Sequence, residues 1–176
     1  KDIVIAEEFN FDVTEIEILN EGNLFKGLKR GTATTKEGLE ITADEFEYDK
    51  LLNILKAEGN VEIKDNIKDY TIFSKSITYL KNQEKIFTLG KTNALINSKY
   101  NFETEDIILL RNSMKLNSER KTKITDDEFT TYELDKFEYQ INEKILKGIN
   151  VDITTNSNLS ETSRDKYNFK DGIFNL

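Results

Sequence analysis

A unit of about thirty residues repeats along this chain, and it limits the possible folds more than any other feature of the sequence. Phe46 and Ile77 lie 31 residues apart, and the steps from Ile77 to Ile107 and from Ile107 to Phe137 are both 30. A fixed period of this size indicates one supersecondary unit used many times, with an apolar face that only its neighbours can bury. We therefore expect function to reside in a long shared surface rather than in a single catalytic pocket.

Five units and a partial sixth can be marked, and together they predict a single domain over residues 1–176. The terminal units are the least regular, which is typical of repeat stacks. The units run at about 9–35, 39–65, 70–97, 100–126 and 130–156, with the partial sixth from Ser160 to Leu176.

Within each unit the apolar residues recur at every second position. Phe46 and Tyr48 alternate with acidic residues, and Val61 and Ile63 alternate with polar ones. This period predicts half-buried antiparallel strands. Asn, Asp, Gly and Lys cluster between the apolar runs and predict hairpin turns, so that each unit supplies a short strand, a turn and a longer strand. The predicted fold class is all-β, with two facing antiparallel sheets.

Two segments are ambiguous on their own. Residues 49–57 have the propensity of a helix, but the equivalent stretch 80–88 has the pattern of a turn followed by a strand, and the repeat favours the second interpretation for both. The four apolar residues Ile107–Leu110 break the alternation. They predict either a strand covered on both faces or the lip of an apolar cleft.

Composition excludes several kinds of chemistry. The chain has no His and no Cys, so Ser-His-Asp and Cys-His catalysis and His-based metal sites are impossible. A net charge of −8, without a strongly basic window, disfavours nucleic acid as a partner. Paired carboxylates such as Glu103 and Glu105 could serve a glycosidase, but solvated strands and turns collect acidic residues anyway. We expect no enzymatic activity, no cofactor and no metal.

One motif is more specific than the general pattern. Residues 41–48 read Ile-x-Ala-Asp-x-Phe-x-Tyr, and residues 55–63 read Leu-x-Ala-x-Gly-Asn-Val-x-Ile. The motif resembles the OstA-like lipopolysaccharide-transport family, and the resemblance covers essentially the whole chain. Later units have drifted, since Arg120 stands where Gly59 and Gly90 stand in earlier ones.

The family contains periplasmic bridge proteins and the periplasmic N-terminal domains of outer-membrane translocons. The ending Tyr167–Leu176 is more similar to the second group. The resemblance implies a β-jellyroll of two antiparallel sheets, opened like a V along one side. Its groove would take the acyl chains of lipid A while the sugars stay in water.

The resemblance also implies a place and partners. The chain would work in the periplasm, at or attached to the outer membrane of a Gram-negative bacterium, and would pass lipopolysaccharide towards that membrane. It would join other OstA-like domains head to tail by edge-strand pairing. An outer-membrane barrel would be a further partner if the chain is a translocon segment.

The inward-facing positions of the predicted strands are the candidate lipid-binding residues, although a side chain that packs the core would have the same sequence parity. They are Phe46, Tyr48, Val61, Ile63, Ile77, Tyr79, Ile86, Ile107, Leu109, Leu116, Ile124, Phe137, Tyr139 and Ile153. The candidate edge residues for a neighbouring domain are Ile3, Val4, Ile5, Phe9, Phe11, Phe169 and Phe174. Three cations are candidates for contact with lipid phosphates: Lys26, Lys29 and Arg30.

Two other classes of protein remain open on the sequence. One is a structural or carbohydrate-binding β-repeat domain with a sealed core. The other, a β-helical enzyme that cleaves polysaccharides, is less favoured because solenoid coils usually repeat at a shorter period.

Overall fold

The computed structural model describes residues 2–6, 8–156 and 158–176, and for residues 2–6 it describes the backbone alone. The described residues are all-β, as predicted: they form eighteen strands and three short 3-10 segments, and no α-helix is present among them. The strands are β1 Asp2–Ala6, β2 Phe9–Val13, β3 Glu15–Leu19, β4 Leu24–Leu28, β5 Gly31–Thr35, β6 Glu40–Ala43, β7 Glu45–Asp49, β8 Ile54–Asp65, β9 Tyr70–Leu80, β10 Lys85–Ile96, β11 Tyr100–Glu105, β12 Ile108–Leu110, β13 Lys115–Ser118, β14 Thr122–Thr125, β15 Thr131–Leu134, β16 Lys136–Gln140, β17 Ile145–Thr154 and β18 Lys166–Asn175. The 3-10 segments are Asn20–Gly22, Lys81–Gln83 and Glu161–Ser163.

The strands pair into two antiparallel ladders that lie side by side, and we call them layer A and layer B. Layer A contains β1, β2, β5, β6, β11, β14 and β15. Layer B contains β3, β4, β7, β12, β13 and β16. The long strands β8, β9, β10, β17 and β18 take part in both, with one half in each ladder. Consecutive short strands such as β2 and β3 are the two halves of one bent strand and lie in different layers, so β2 pairs with β5 and β3 with β4. Successive bent strands therefore pair with each other, which is the order of an up-and-down meander, and the described pairs contain no Greek-key crossover.

Each strand bends where it passes from one layer to the other, and we call this line of bends the crease. In β8 the crease lies at Gly59 and Asn60, whose φ angles are 78° and 45°, and the register with β9 shifts between Glu58 and Val61. A left-handed backbone and a bulge turn a strand without ending its ladder. Gly59-Asn60 thus bends the predicted longer strand of the unit, β8, which continues through the bend for twelve residues.

An aspartate supports the crease from the neighbouring strand. The Asp44 carboxylate accepts hydrogen bonds from Asn60 Nδ2 at 2.7 Å and from Arg30 Nη1 at 3.0 Å. Asp106 accepts one from the backbone N–H of Gly90 at 2.8 Å. The same arrangement recurs further along, where Asp135 accepts a hydrogen bond from the Asn150 amide at 2.6 Å. An aspartate that bonds a Gly or an Asn of a neighbouring bend thus recurs along the crease and fixes the bend, although the complete Gly-Asn pair is present at 59–60 alone among these three bends.

The predicted turns lie where the repeat placed them. Residues 50–53 form a turn, and β8 begins at Ile54, so the strand interpretation of 49–57 is confirmed. Turns also occupy 81–84 and 141–144. In the apolar run at 107–110 the alternation continues: Ile107 and Leu109 are buried, while Ile108 and Leu110 are half-buried on the outer face.

The two layers face each other, and the core lies between them. Aromatic rings from strands that do not pair make the contact. Phe9 of layer A meets Tyr48 of layer B with ring centroids 5.0 Å apart, and Phe102 of layer A meets Phe137 of layer B at 5.2 Å. The meander is therefore folded in two along the crease, and its inner faces form one apolar interior.

Candidate functional site: the interior of the folded meander and its mouth

The structure brings the predicted lipid-binding residues together on the inner faces of the two layers. All of them except Ile153 are buried in one hydrophobic core, and Ile153 is partly buried against that core. The inward direction of these side chains could be predicted because the side-chain period of a strand is two. Burial by itself is compatible with core packing and with a lipid-contacting role.

The chain's own side chains fill this interior. Tyr139 of layer B contacts Phe102 of layer A with ring centroids 5.4 Å apart and Tyr100 at 6.3 Å. Near the N-terminal end, Phe9 contacts Tyr79 at 5.9 Å. The layers therefore touch in the conformation described, and a guest chain would have to separate them.

The predicted edge residues do not all lie at an edge of the sheet. Phe9 and Phe11 lie one strand in from the edge, since β2 pairs with both β1 and β5, and their side chains are buried in the core. Their side chains serve the contact between layers, so neither residue lies at a free edge, where their position near the N-terminus had placed them. Phe169 is exposed on β18, whereas Phe174 is partly buried against the core.

Other edge predictions concern the N-terminus. The backbone of β1 pairs with β2, and the side chains of Ile3, Val4 and Ile5 lie outside the described residues. Among the described residues, β18 pairs along one side only, with β17.

The three candidate phosphate-contacting cations are each paired with a carboxylate on a neighbouring strand. Such pairs between exposed side chains contribute little free energy and leave the cations available to solvent. The pairs are Lys26 with Glu47 at 3.8 Å, Lys29 with Glu15 at 3.0 Å and Arg30 with Asp44 at 3.0 Å.

Opposite the crease, turns from the two layers meet along a line that we call the mouth. Layer A contributes the turns 36–39, 66–69, 97–99 and 126–130, and layer B contributes 50–53, 81–84, 111–114 and 141–144.

A buried arginine at the mouth bonds to both layers. Arg111 Nε donates a hydrogen bond to Tyr70 Oη at 2.9 Å, and Arg111 Nη1 donates one to Tyr79 Oη at 2.7 Å. Tyr70 begins β9 and Tyr79 is nine residues further along it. In a straight strand their Cα atoms would lie about 30 Å apart. One guanidinium therefore holds the two ends of a strand that is bent double at the crease.

Two carboxylates neutralise this arginine. Arg111 Nη2 lies 3.0 Å from Asp65 Oδ2, and both side chains are 2% exposed. Glu84 of layer B forms the second ion pair through Nη1. A buried guanidinium with two carboxylates and two phenols has most of its donors satisfied, which is the condition for burying a charge. We call Arg111, Asp65, Glu84, Tyr70 and Tyr79 the Arg111 cluster.

Two lysines extend the polar contact along the mouth. Lys68 of layer A donates a hydrogen bond from Nζ to the carbonyl oxygen of Arg111 at 3.1 Å. Lys81 of layer B lies with its Nζ 3.6 Å from Oε2 of Glu37, in a turn of layer A. The middle of the mouth is therefore closed by charged groups, whereas the interior behind it is apolar.

The pKa shifts in this cluster favour the ionised forms of Glu84 and Arg111 and the neutral forms of the two phenols. Burial opposes ionisation of Glu84, but hydrogen bonds from Lys81 and Tyr79 and the charge of Arg111 outweigh it, so the pKa of Glu84 lies below its usual value. Burial raises the pKa of both Tyr70 and Tyr79, which keeps the phenols neutral and able to donate. For Arg111 burial acts in the opposite direction, yet its partners hold the pKa above the ordinary value.

One buried polar group has no partner in the described residues. Tyr139 Oη lies in the apolar interior without a hydrogen bond, and burial, followed by the neighbouring Tyr100, raises its pKa to about 12. An unsatisfied buried hydroxyl costs about 1–3 kcal/mol. The mouth beside Tyr139 is closed by aromatic contacts, unlike its middle.

A second candidate site lies on the outer face of layer A. Phe73 is 47% exposed there, and its neighbours across the strand pairs are Glu62 and Asn93. They line a concavity of about 1000 Å³, whose rim carries Lys91 and Lys121. An exposed ring between carboxylate and amide groups is the arrangement in which a polar surface can hold a flat, partly apolar ligand.

No family model and no curated protein matches this chain. In the described part of the chain, no helix has the length and apolar character needed to cross a membrane. Nor does that part group three or more His, Cys, Asp or Glu side chains as a metal site would require.

Proposed function

We propose that this chain is a lipid-binding module of the lipopolysaccharide-transport type, which carries acyl chains between its two layers and has no catalytic activity of its own. It would act in the periplasm, at or attached to the outer membrane, and pass lipid A towards that membrane. In this proposal the layers part on the mouth side to give the V-shaped groove that the resemblance implies.

One observation carries the proposal. A single apolar interior runs between two layers that meet at a crease, and it is lined by the residues whose strand parity predicted an inward direction. Burial of acyl chains supplies about 0.8 kcal/mol for each CH₂ group, so several chains would bind tightly without a polar site. An elongated interior that is continuous along the mouth suits a ligand with long chains and a solvated headgroup.

Partners follow from the ends of the meander. The outer side of β18 carries backbone groups that another strand could pair with, beside the exposed rings of Tyr167 and Phe169. Exposed edges normally promote association, and a module that assembles head to tail would use them through strand addition. The proposed partner at this edge is another OstA-like domain.

The alternative is a structural or carbohydrate-binding repeat domain with a sealed core. The direct contact of Phe102 with Phe137 and Tyr139 favours it, and the outer concavity around Phe73 would be its binding site. The two functions differ in whether a lipid reaches the interior.

Site-specific photo-crosslinking tests the proposal. A diazirine analogue of leucine replaces Leu109 or Leu116, which are buried in the interior, and in a control it replaces Leu89, which is 67% exposed on the outer face. After illumination with lipopolysaccharide, we expect adducts at Leu109 and Leu116 in protein that still melts cooperatively. Adducts at Leu89 alone, or none at any position, would mean a sealed core and would support the alternative.

A further inference from the structure

We propose that the Arg111 cluster is a latch across the mouth, so that lipid enters the interior sideways, between the turns of the two layers, only while this cluster is broken. The inference rests on the proposed function and adds where the groove opens and what keeps it shut.

The strand connectivity determines on which side the two layers can separate. The layers are continuous through the crease, because the same long strands belong to both. Separation at the crease would break backbone ladders, whereas separation at the mouth breaks side-chain contacts alone. The mouth is therefore the side on which the interior can open without loss of strand pairing.

Polar contacts between the two layers close the middle of the mouth. The hydrogen bonds and ion pair from Arg111 to Tyr70 and Asp65 join layer B to layer A, as does the bond from Lys68 to the Arg111 carbonyl. Lys81 and Glu37 make a further contact nearby. Polar bonds are directional and are lost within a short separation, in contrast to apolar contacts, which weaken gradually. The cluster therefore has two discrete states, made and broken.

A purely stabilising role is the alternative explanation of the Arg111 cluster. Replacement of a buried ion pair by well-packed apolar residues is often neutral or stabilising, so stability alone does not account for charges in this place. A charged closure does have one property that an apolar one lacks. Water and a polar headgroup can replace its bonds when the layers part, and the free energy of the open state is lowered accordingly.

A reversible staple tests the latch. The chain has no Cys, so Glu37→Cys with Lys81→Cys supplies the only two thiols, one in each layer. A short bis-maleimide with a cleavable disulfide in its spacer joins them and holds the mouth shut. The matched control is Glu47→Cys with Lys56→Cys, a directly paired couple within layer B that does not span the mouth.

The readout is the photo-adduct between lipopolysaccharide and the leucine analogue at Leu116. The staple at 37 and 81 should lower the adduct yield about tenfold or more, as expected if the open state falls to a tenth of its population. Cleavage of the spacer should restore the yield, and the control staple should leave it unchanged.

A second variant weakens the latch, whereas the staple holds it shut. Tyr70→Phe removes one hydrogen bond across the mouth and keeps the ring, so it should raise the adduct yield about tenfold or more, the equivalent of one hydrogen bond to a charged group. Equal adducts in stapled and unstapled protein would overturn the latch and leave the proposed function standing. No adduct at Leu116 in any state would overturn both.

Discussion

Tyr79 and Tyr139 occupy the same position of the repeat, two units apart, and both are fully buried in layer B. Their hydroxyl groups differ in hydrogen bonding. Tyr79 Oη accepts a hydrogen bond from Arg111 and donates one to Glu84 at 2.8 Å, whereas Tyr139 Oη has no partner in the described residues. The ring packs in the interior in both of these units, but of the two hydroxyl groups that of Tyr79 alone forms hydrogen bonds with described residues.

Paired substitutions at these tyrosines should therefore have opposite effects on stability. Tyr79→Phe should lower the free energy of unfolding by about 1.5–3 kcal/mol, because hydrogen bonds to charged groups are lost inside the protein. Tyr139→Phe should be neutral or stabilising by up to about 1 kcal/mol, because it removes an unsatisfied hydroxyl. Urea unfolding of both variants measures the difference.

The pair also contains its own control, since the same atom is removed from the same repeat position. Equal losses in the two variants would show that the Tyr79 hydroxyl contributes nothing specific, and the account of the Arg111 cluster would then be wrong.

Among the elements, the crease is the feature that departs most from an ordinary β-strand. Gly59 and Gly90 both bend their strands with positive φ, at 78° and 77°. Their surroundings differ. A Cβ at Gly59 would lie 2.8 Å from Cβ of Asp44, while a Cβ at Gly90 would meet nothing within 4 Å.

Alanine substitutions at the two glycines should separate backbone strain from steric conflict. Gly90→Ala should lower the free energy of unfolding by about 1–2 kcal/mol through its left-handed φ alone. Gly59→Ala should cost at least about 1 kcal/mol more, since it also displaces the aspartate that supports the bend. Thermal and urea unfolding of the two variants would check this. If both lose the same amount, Asp44 does not constrain the crease.

Much of the fold could be predicted from alternation and period. The inward side chains, the turns at 50–53 and 81–84 and the all-β class follow from local pattern, because strand parity and turn residues are properties of short segments. The bend at Gly59-Asn60 was not predicted, since a glycine and an asparagine indicate a turn equally well. Only the long-range pairing of β8 with β9 shows that the strand continues.

The Arg111 cluster could not be predicted in the same way. Arg111 follows an apolar run at a turn and has the sequence context of a solvated residue. Its partners Asp65 and Tyr70 lie more than forty residues away and belong to the other layer. A faint signal exists in the repeat, because Arg111 stands at the position of Lys81, which also faces across the mouth.

For the whole molecule, the absence of His simplifies the response to pH. No side chain of ordinary pKa titrates between about pH 5 and 8 here. Several carboxyl groups do have a lowered pKa. Burial opposes the shift at Glu84 but hydrogen bonds from Lys81 and Tyr79 prevail, and at Asp106 the backbone N–H of Gly90 is the largest cause, followed by Arg120.

A group whose pKa is lower in the folded state contributes stability above its unfolded pKa and loses it as the pH falls through its folded pKa. We therefore expect a flat urea midpoint from about pH 5 to 8 and a steep decline below about pH 4. Glu84→Gln should make the acid decline shallower. Glu161→Gln, at a side chain that is 82% exposed, should leave it unchanged. A midpoint that varies across the neutral range would contradict this account.

The crease also sets the mechanical scale of any opening. From the bend to the mouth, the layer A half of β9 contains the five residues Tyr70–Ser74, an arm of about 17 Å. A rotation of only about 15° at the hinge would move the tip of such an arm by about 4 Å, close to the separation of neighbouring strands. In the proposed opening the folded meander would act as a lever, in which small changes of backbone angle at Gly59-Asn60 and its counterparts would become displacements as wide as a hydrocarbon chain.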